Sequence, residues 1–272
     1  MLEAWRTRLN ALPSKCLLVG DQREDTAVLR LGNGSDQTVR LRDPDSILAM
    51  VAGTTSVHLD ISGLAHTVWA PILRAFWSAI QNITVVYAEP IAYKVHTSPT
   101  SSSSYDLTDG FQGVGPLPGF AKLRGPDEEN LSIFIPMLGF EGVRARQVAQ
   151  TLDPVPRTIP IIGVPGFRLE YPAHTVSCNR EFLSETDSYP NVRYAKASCP
   201  FQALDALNEI RSEYSDHYLY IAPVGTKPHS VAAVIFATEN SSNVELMYDH
   251  PKRKPQRTQG VGPVHFYRVK CP

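Results

Sequence analysis

The sequence predicts an α/β fold, a mostly parallel sheet with helices on both faces, preceded by a small N-terminal β meander. Three observations lead there. Short, nearly continuous apolar runs alternate with stretches of helical period, the pattern of strands buried on both faces between crossover helices. Turn-forming residues crowd just beyond those runs. The 22 prolines and 17 glycines are many for 272 residues, which calls for rigid, sharply turned connections, yet they show no collagen-like or low-complexity bias.

The elements follow in order. Residues 16–20, 26–31 and 38–41 are short apolar runs separated by polar and glycine-rich punctuation, so residues 1–50 read as antiparallel hairpins. The pattern changes at about residue 51, where an α/β domain running to residue 272 begins. Val57-His58-Leu59-Asp60-Ile61 reads as a strand, residues 67–81 carry Val68, Ile72, Leu73, Phe76 and Ile80 at helical spacing, and Ile83-Thr84-Val85-Val86-Tyr87 reads as a buried strand. A second βαβ unit comprises a strand over 131–136, a helix over 142–152 and a strand over 158–163. A helix over 200–214, a strand over 218–222, a helix over 227–238 and a strand over 244–248 follow, and residues 265–269 close the chain as an antiparallel edge. The halves are joined by residues 95–130. Within them, 96–109 holds Ser98, Pro99, Thr100 and four serines, and reads as a solvated connector or a lid.

Composition excludes several classes. With 26 Lys+Arg against 27 Asp+Glu the formal charge is −1, so no general basic coat for nucleic acid is present. The longest stretches free of Asp, Glu, Lys and Arg span 14 residues, below the ~18–20 of a membrane-spanning helix, so no membrane partner is expected. The start, Met1-Leu2-Glu3-Ala4-Trp5-Arg6, has no apolar core after a basic region, so a cytoplasmic protein is expected. Cys16, Cys178, Cys199 and Cys271 form no CxxC pair and no zinc-ligand spacing, so they read as reduced thiols. No GxGxxG follows the first core strand and no GxxxxGK[ST] occurs, so neither a dehydrogenase nor triphosphate hydrolysis has support, and no cofactor is expected.

In a sheet of this kind ligands bind beyond the carboxyl ends of the strands. The most informative strand end is Val224-Gly225-Thr226-Lys227-Pro228-His229-Ser230. There Gly225 permits a tight turn, Thr226 caps the helix, and Lys227 with the first amides suits an anion. Leu138-Gly139-Phe140-Glu141-Gly142-Val143-Arg144 is a second candidate, in which Arg144 and Arg146 suit phosphate or carboxylate; a Glu141–Arg144 surface pair is the plainer alternative. Asp60, with Ser62 behind it, and Glu89 end two strands one crossover apart and suit a ribose hydroxyl, a metal or a shared proton, but with no third ligand at recognisable spacing no metal is expected. Lys252-Arg253-Lys254-Pro255-Gln256-Arg257 places four cations in six residues on the same rim, a solvated face or a positive wall. His66 and His229 lie at crevice loops, and Asp249-His250 makes no triad.

A strand, a Gly225-Thr226-Lys227 turn opening a helix, and a strand ending in Tyr248-Asp249-His250 resemble the ligand loop of CRISPR-associated Rossmann-fold (CARF) and related prokaryotic defence sensors, whose motif is commonly Thr-Gly-Gly-Thr-Lys. Here only half of the first small pair is kept. The resemblance implies a Rossmann-like domain that binds a nucleotide, including a cyclic oligonucleotide, or another phosphate-bearing ligand in antiviral defence, and sensors of this kind often dimerise. On that reading Gly225, Thr226 and Lys227 hold phosphate, Arg144 and Arg253 add charge, Asp60 or Glu89 meets ribose or base, and Ser62 and Glu141 are further ligand-binding residues. If the ligand is cleaved, Lys227 stabilises charge and His229 serves as the base. Two other readings share the scaffold: a protein-interaction subunit of a defence complex with a degenerate crevice, and a metabolic enzyme acting on a phosphorylated metabolite.

Overall fold

The structure, a computed structural model, describes residues 17–23, 25–31, 35–100, 103–122 and 131–271. The chain start, Cys16, the turn at 32–34 and the serines at 101 and 102 lie outside them.

The chain opens on an antiparallel meander, β1 (Leu17–Gln22), β2 (Thr26–Leu31) and β3 (Asp36–Arg40), in that spatial order. Helix α1 (Pro44–Leu48) follows, its first turn capped by Asp43, whose side chain accepts the Asp45 amide at 3.1 Å. β4 (Ser56–Asp60) and β5 (Asn82–Ala88) run parallel on either side of α2 (His66–Ala79). Alternation of buried and half-buried residues along β5 matches a strand with α2 on one face.

The stretch between the halves forms short strands. These are β6 (Ala92–Tyr93), β7 (Val95–Thr100), β8 (Ser103–Tyr105), β9 (Thr108–Phe111) and β10 (Gly115–Pro116). Then come β11 (Ser132–Pro136), α3 (Gly142–Ala149), β12 (Arg157–Thr158) and β13 (Ile161–Gly163), followed by α4 (Tyr171–Cys178) and α5 (Arg180–Glu185). β14 (Arg193–Ala195), α6 (Pro200–Glu213), β15 (Tyr218–Ala222), α7 (Lys227–Glu239) and β16 (Val244–Tyr248) complete the second half. β17 (Pro251–Arg253), β18 (Thr258–Gln259) and β19 (Val264–Lys270) end the chain.

The expected mostly parallel Rossmann-like sheet is not what these strands make. The described strands fall into seven small sheets, and seven of their twelve pairings are antiparallel. Parallel strand pairing comprises β4–β5, β13–β14 and the run β16-β15-β11-β12, to which β10 adds antiparallel, and a single parallel bridge, Met137 with Ile161, ties the end of β11 to β13. The physical reason is that an apolar run reports burial on both faces but says nothing about the direction of its neighbour. The Pro- and Gly-rich connections also pair with one another, β17 with β9 and β18 with β6, where turns alone were expected.

One cluster of buried residues joins the meander (Ala27, Leu29, Val39) to Trp69 and Leu73 of α2, Ile133 and Ile135 of β11 and Phe236 of α7. Each fully buried large side chain there contributes about 1.5–3 kcal/mol. Helix α7 is buried from Pro228 through Ala237, wedged between α2 and α6. Among the described residues no helix is long and apolar enough to cross a membrane.

Candidate functional site

A cavity of about 810 Å³ opens where the loops after β4, β5, β11, β13, β15 and β16 converge. The loops come within van der Waals reach of one another through glycine. A Cβ on Gly225 would stand 2.6 Å from the Leu138 carbonyl oxygen, so the turn before α7 lies directly against the turn after β11.

Three of the residues expected to grip phosphate hold this convergence together. Lys227 lines the cavity, yet its Nζ donates to the carbonyls of Ile61, Ser62 (2.8 Å) and Leu64 (3.0 Å), which uses all three ammonium protons. Burial, helped by Arg257 and Arg253 and opposed by Asp60, pulls Lys227 down to about 7. Thr226 donates to the Ala197 carbonyl at 3.0 Å and accepts the His229 amide at 3.4 Å. Arg144 is 3% exposed; its Nε and Nη2 make a two-pronged pair with Asp249 at 2.8 and 2.7 Å, and its Nη1 donates to the Val224 carbonyl at 2.8 Å. Arg146 pairs with Glu185 at 2.8 Å and Glu181 at 3.2 Å.

The remaining predicted residues divide. Glu89, Glu141, Ser62, Arg253 and the Gly225 turn all line the cavity. Asp60 is exposed outside it, its side chain accepting the Ser62 amide at 2.8 Å. His229 is fully buried away from the wall, with Nε2 facing the Lys196 carbonyl at 3.1 Å, and burial lowers it to about 4. That position removes it from any proton transfer in the cavity.

His66 does reach the wall. Its Nε2 faces the Ser230 hydroxyl at 3.0 Å and its Nδ1 faces the Tyr248 hydroxyl at 3.0 Å. Ser230 is placed to donate to the Thr226 carbonyl at 3.0 Å, so it accepts from His66 Nε2–H, and Nδ1 in turn accepts the Tyr248 proton. Burial, with Lys227, Arg253, Arg144 and Arg257 around it, holds His66 well below its ordinary value. It is a neutral, fixed strut.

Cations and aromatic rings share the lining of the cavity. Arg253 makes three long contacts, to Glu141 Oε2 (3.3 Å), Thr108 Oγ1 (3.4 Å) and the Tyr248 hydroxyl (3.4 Å). Arg257, half-buried at the cavity, has no hydrogen bond or ion pair to its guanidinium among the described residues; burial and Arg253 lower it. Tyr87, Tyr93, Phe140, Phe167 and Tyr171 line the same cavity. Phe140 meets Tyr171 edge-on at 4.9 Å and Tyr93 at 5.5 Å, and it stacks on Tyr105 at 4.4 Å. The serine-rich stretch therefore carries Tyr105 into this wall as part of a paired hairpin, β7–β8.

The sequence pointed to Arg253 and Glu141 but not to Phe140, Phe167 and Tyr171 as one wall. Each stands singly among polar neighbours, and only tertiary packing collects them. Arg257 was legible merely as one of a charge run. No family model, curated protein or solved structure matches the chain.

Proposed function

We propose that this protein binds a nucleotide in the 810 Å³ cavity, its phosphate on Arg257 and Arg253 and its base against Tyr93, Phe140 and Tyr171. The observation that supports this most is Arg257. A guanidinium removed partly from water without a hydrogen-bonded carboxylate costs free energy that a bound phosphate returns through two parallel hydrogen bonds. The Gly225-Thr226-Lys227 turn forms the floor beneath it, with Lys227 adding charge from behind its carbonyl cage. Aromatic rings in the same lining suit a planar base. A setting in prokaryotic antiviral defence is the wider proposal, supported by the likeness of that turn to the sensor loops.

Thermal unfolding with nucleoside monophosphates against the matching nucleosides tests the reading. At about 100-fold saturation a nucleotide stabilises the fold by about 2.7 kcal/mol. Nucleosides give much less, and Arg257→Ala removes most of the nucleotide shift. Equal shifts with nucleosides and nucleotides, or none with either, contradict it.

A further inference from the structure

We infer that Glu89 makes the base end of this cavity selective for guanine over adenine, through N–H donors on the base that its carboxylate accepts. The inference rests on the nucleotide-binding reading and adds the identity of the base. Glu89 follows β5 on the loop that also carries Pro90 and Tyr93, and it lines the cavity with its side chain 14% exposed. Its backbone is pinned on both sides, its amide to the Pro263 carbonyl at 3.0 Å and its carbonyl to the Gly262 amide at 2.7 Å. Oε2 faces His265 Nε2 at 3.3 Å. His265 is itself fixed between rings, parallel to Tyr267 at 5.8 Å and to Tyr87 at 6.3 Å. The carboxylate is therefore held in place by one oxygen, while no donor meets Oε1 among the described residues.

Electrostatics puts this carboxylate at the aromatic end. Burial raises the phenols of Tyr87, Tyr93 and Tyr171, and the Glu89 charge adds to each. Positive charge gathers about Arg253 and Arg257, which both lower Lys227, and Arg253 lowers Arg257 in turn. A phosphate is drawn to that group and repelled by Glu89, so a nucleotide enters in one orientation, base toward Glu89 and the tyrosines. The base edge that meets a carboxylate must donate. Guanine offers N1–H and N2–H side by side, whereas adenine offers only its N6 amine beside an acceptor nitrogen whose lone pair faces the carboxylate. Hypoxanthine keeps N1–H and lacks the second donor.

Calorimetric titration with guanosine, inosine and adenosine 5′-monophosphates is the test, on the wild-type protein and on Glu89→Gln. A charge-assisted hydrogen bond to the base predicts guanosine monophosphate about 10- to 100-fold tighter than adenosine monophosphate, with inosine monophosphate between. Glu89→Gln lowers guanosine affinity to near the adenosine value and leaves adenosine monophosphate within about threefold; a Gln variant with wild-type Tm shows that the change is local. Affinities equal within threefold for all three, or adenosine bound more tightly, overturn the selectivity and leave nucleotide binding standing. No saturable heat with any of them overturns both.

Discussion

Lys227 shows how one side chain can look like a ligand group and act as a latch. Its three carbonyl bonds tie the turn after β4 to the start of α7, so Lys227→Met leaves three carbonyls without a donor. We expect urea unfolding to show a loss of about 2–3 kcal/mol, and a change below ~0.5 kcal/mol would remove the latch. A lysine after a Gly-Thr turn at a strand end signals the position, but its partners are carbonyls from residues 61–64, and sequence patterns do not report carbonyl directions. His229 carries a second residue-scale prediction. It is neutral in the fold, with its proton affinity lowered from about 6.5 to about 4. The unfolded chain therefore takes up the extra proton between those values, and stability present at pH 7 is lost as pH falls from 6.5 to 4, by up to about 3 kcal/mol. Chemical denaturation of wild type and His229→Gln across that range checks it. An identical acid loss in both proteins assigns the effect to other groups, His66 first among them.

Elements were legible where they bury both faces. The strands at 132–136, 218–222 and 244–248 and the helix at 227–239 stand within a residue or two of their apolar runs, because a buried strand or helix must be apolar along most of its length. The short strands β6, β9, β17 and β18 were not, since two to four residues in Pro- and Gly-containing segments pair through backbone alone and leave no periodicity. The glycines at the strand ends are visible in the sequence, and Gly225 permits a tight turn, but their close approach is not: Gly225 and Gly139 let two loops touch backbone to backbone, with the Gly139 Cβ position 3.1 Å from the Gly225 Cα. Gly225→Ala must push the Leu138 and Met137 carbonyls away, and we expect a loss of about 2–4 kcal/mol together with weakened nucleotide binding. A variant as stable as wild type would show that the loops part without cost.

At the scale of the molecule, the rule that ligands gather beyond strand carboxyl ends located the cavity even though the sheet it presupposed is broken into smaller ones. The rule needs only parallel strands ending together, and β4–β5 and β11–β15–β16 supply that locally. Near-zero net charge hid the cations Arg253 and Arg257 and the carboxylate of Glu89 in one cavity lining, because opposite signs cancel in a sum and act individually on a ligand. The account stands on the different ligand groups that Arg257 and Glu89 would hold. A crystal structure of the protein with guanosine 5′-monophosphate tests it most directly: the account predicts phosphate oxygens about 3 Å from the Arg257 guanidinium and the base against Phe140 and Tyr171, its N1 edge toward Glu89. A nucleotide bound outside this cavity, or bound within it with its phosphate at Glu89, would contradict it.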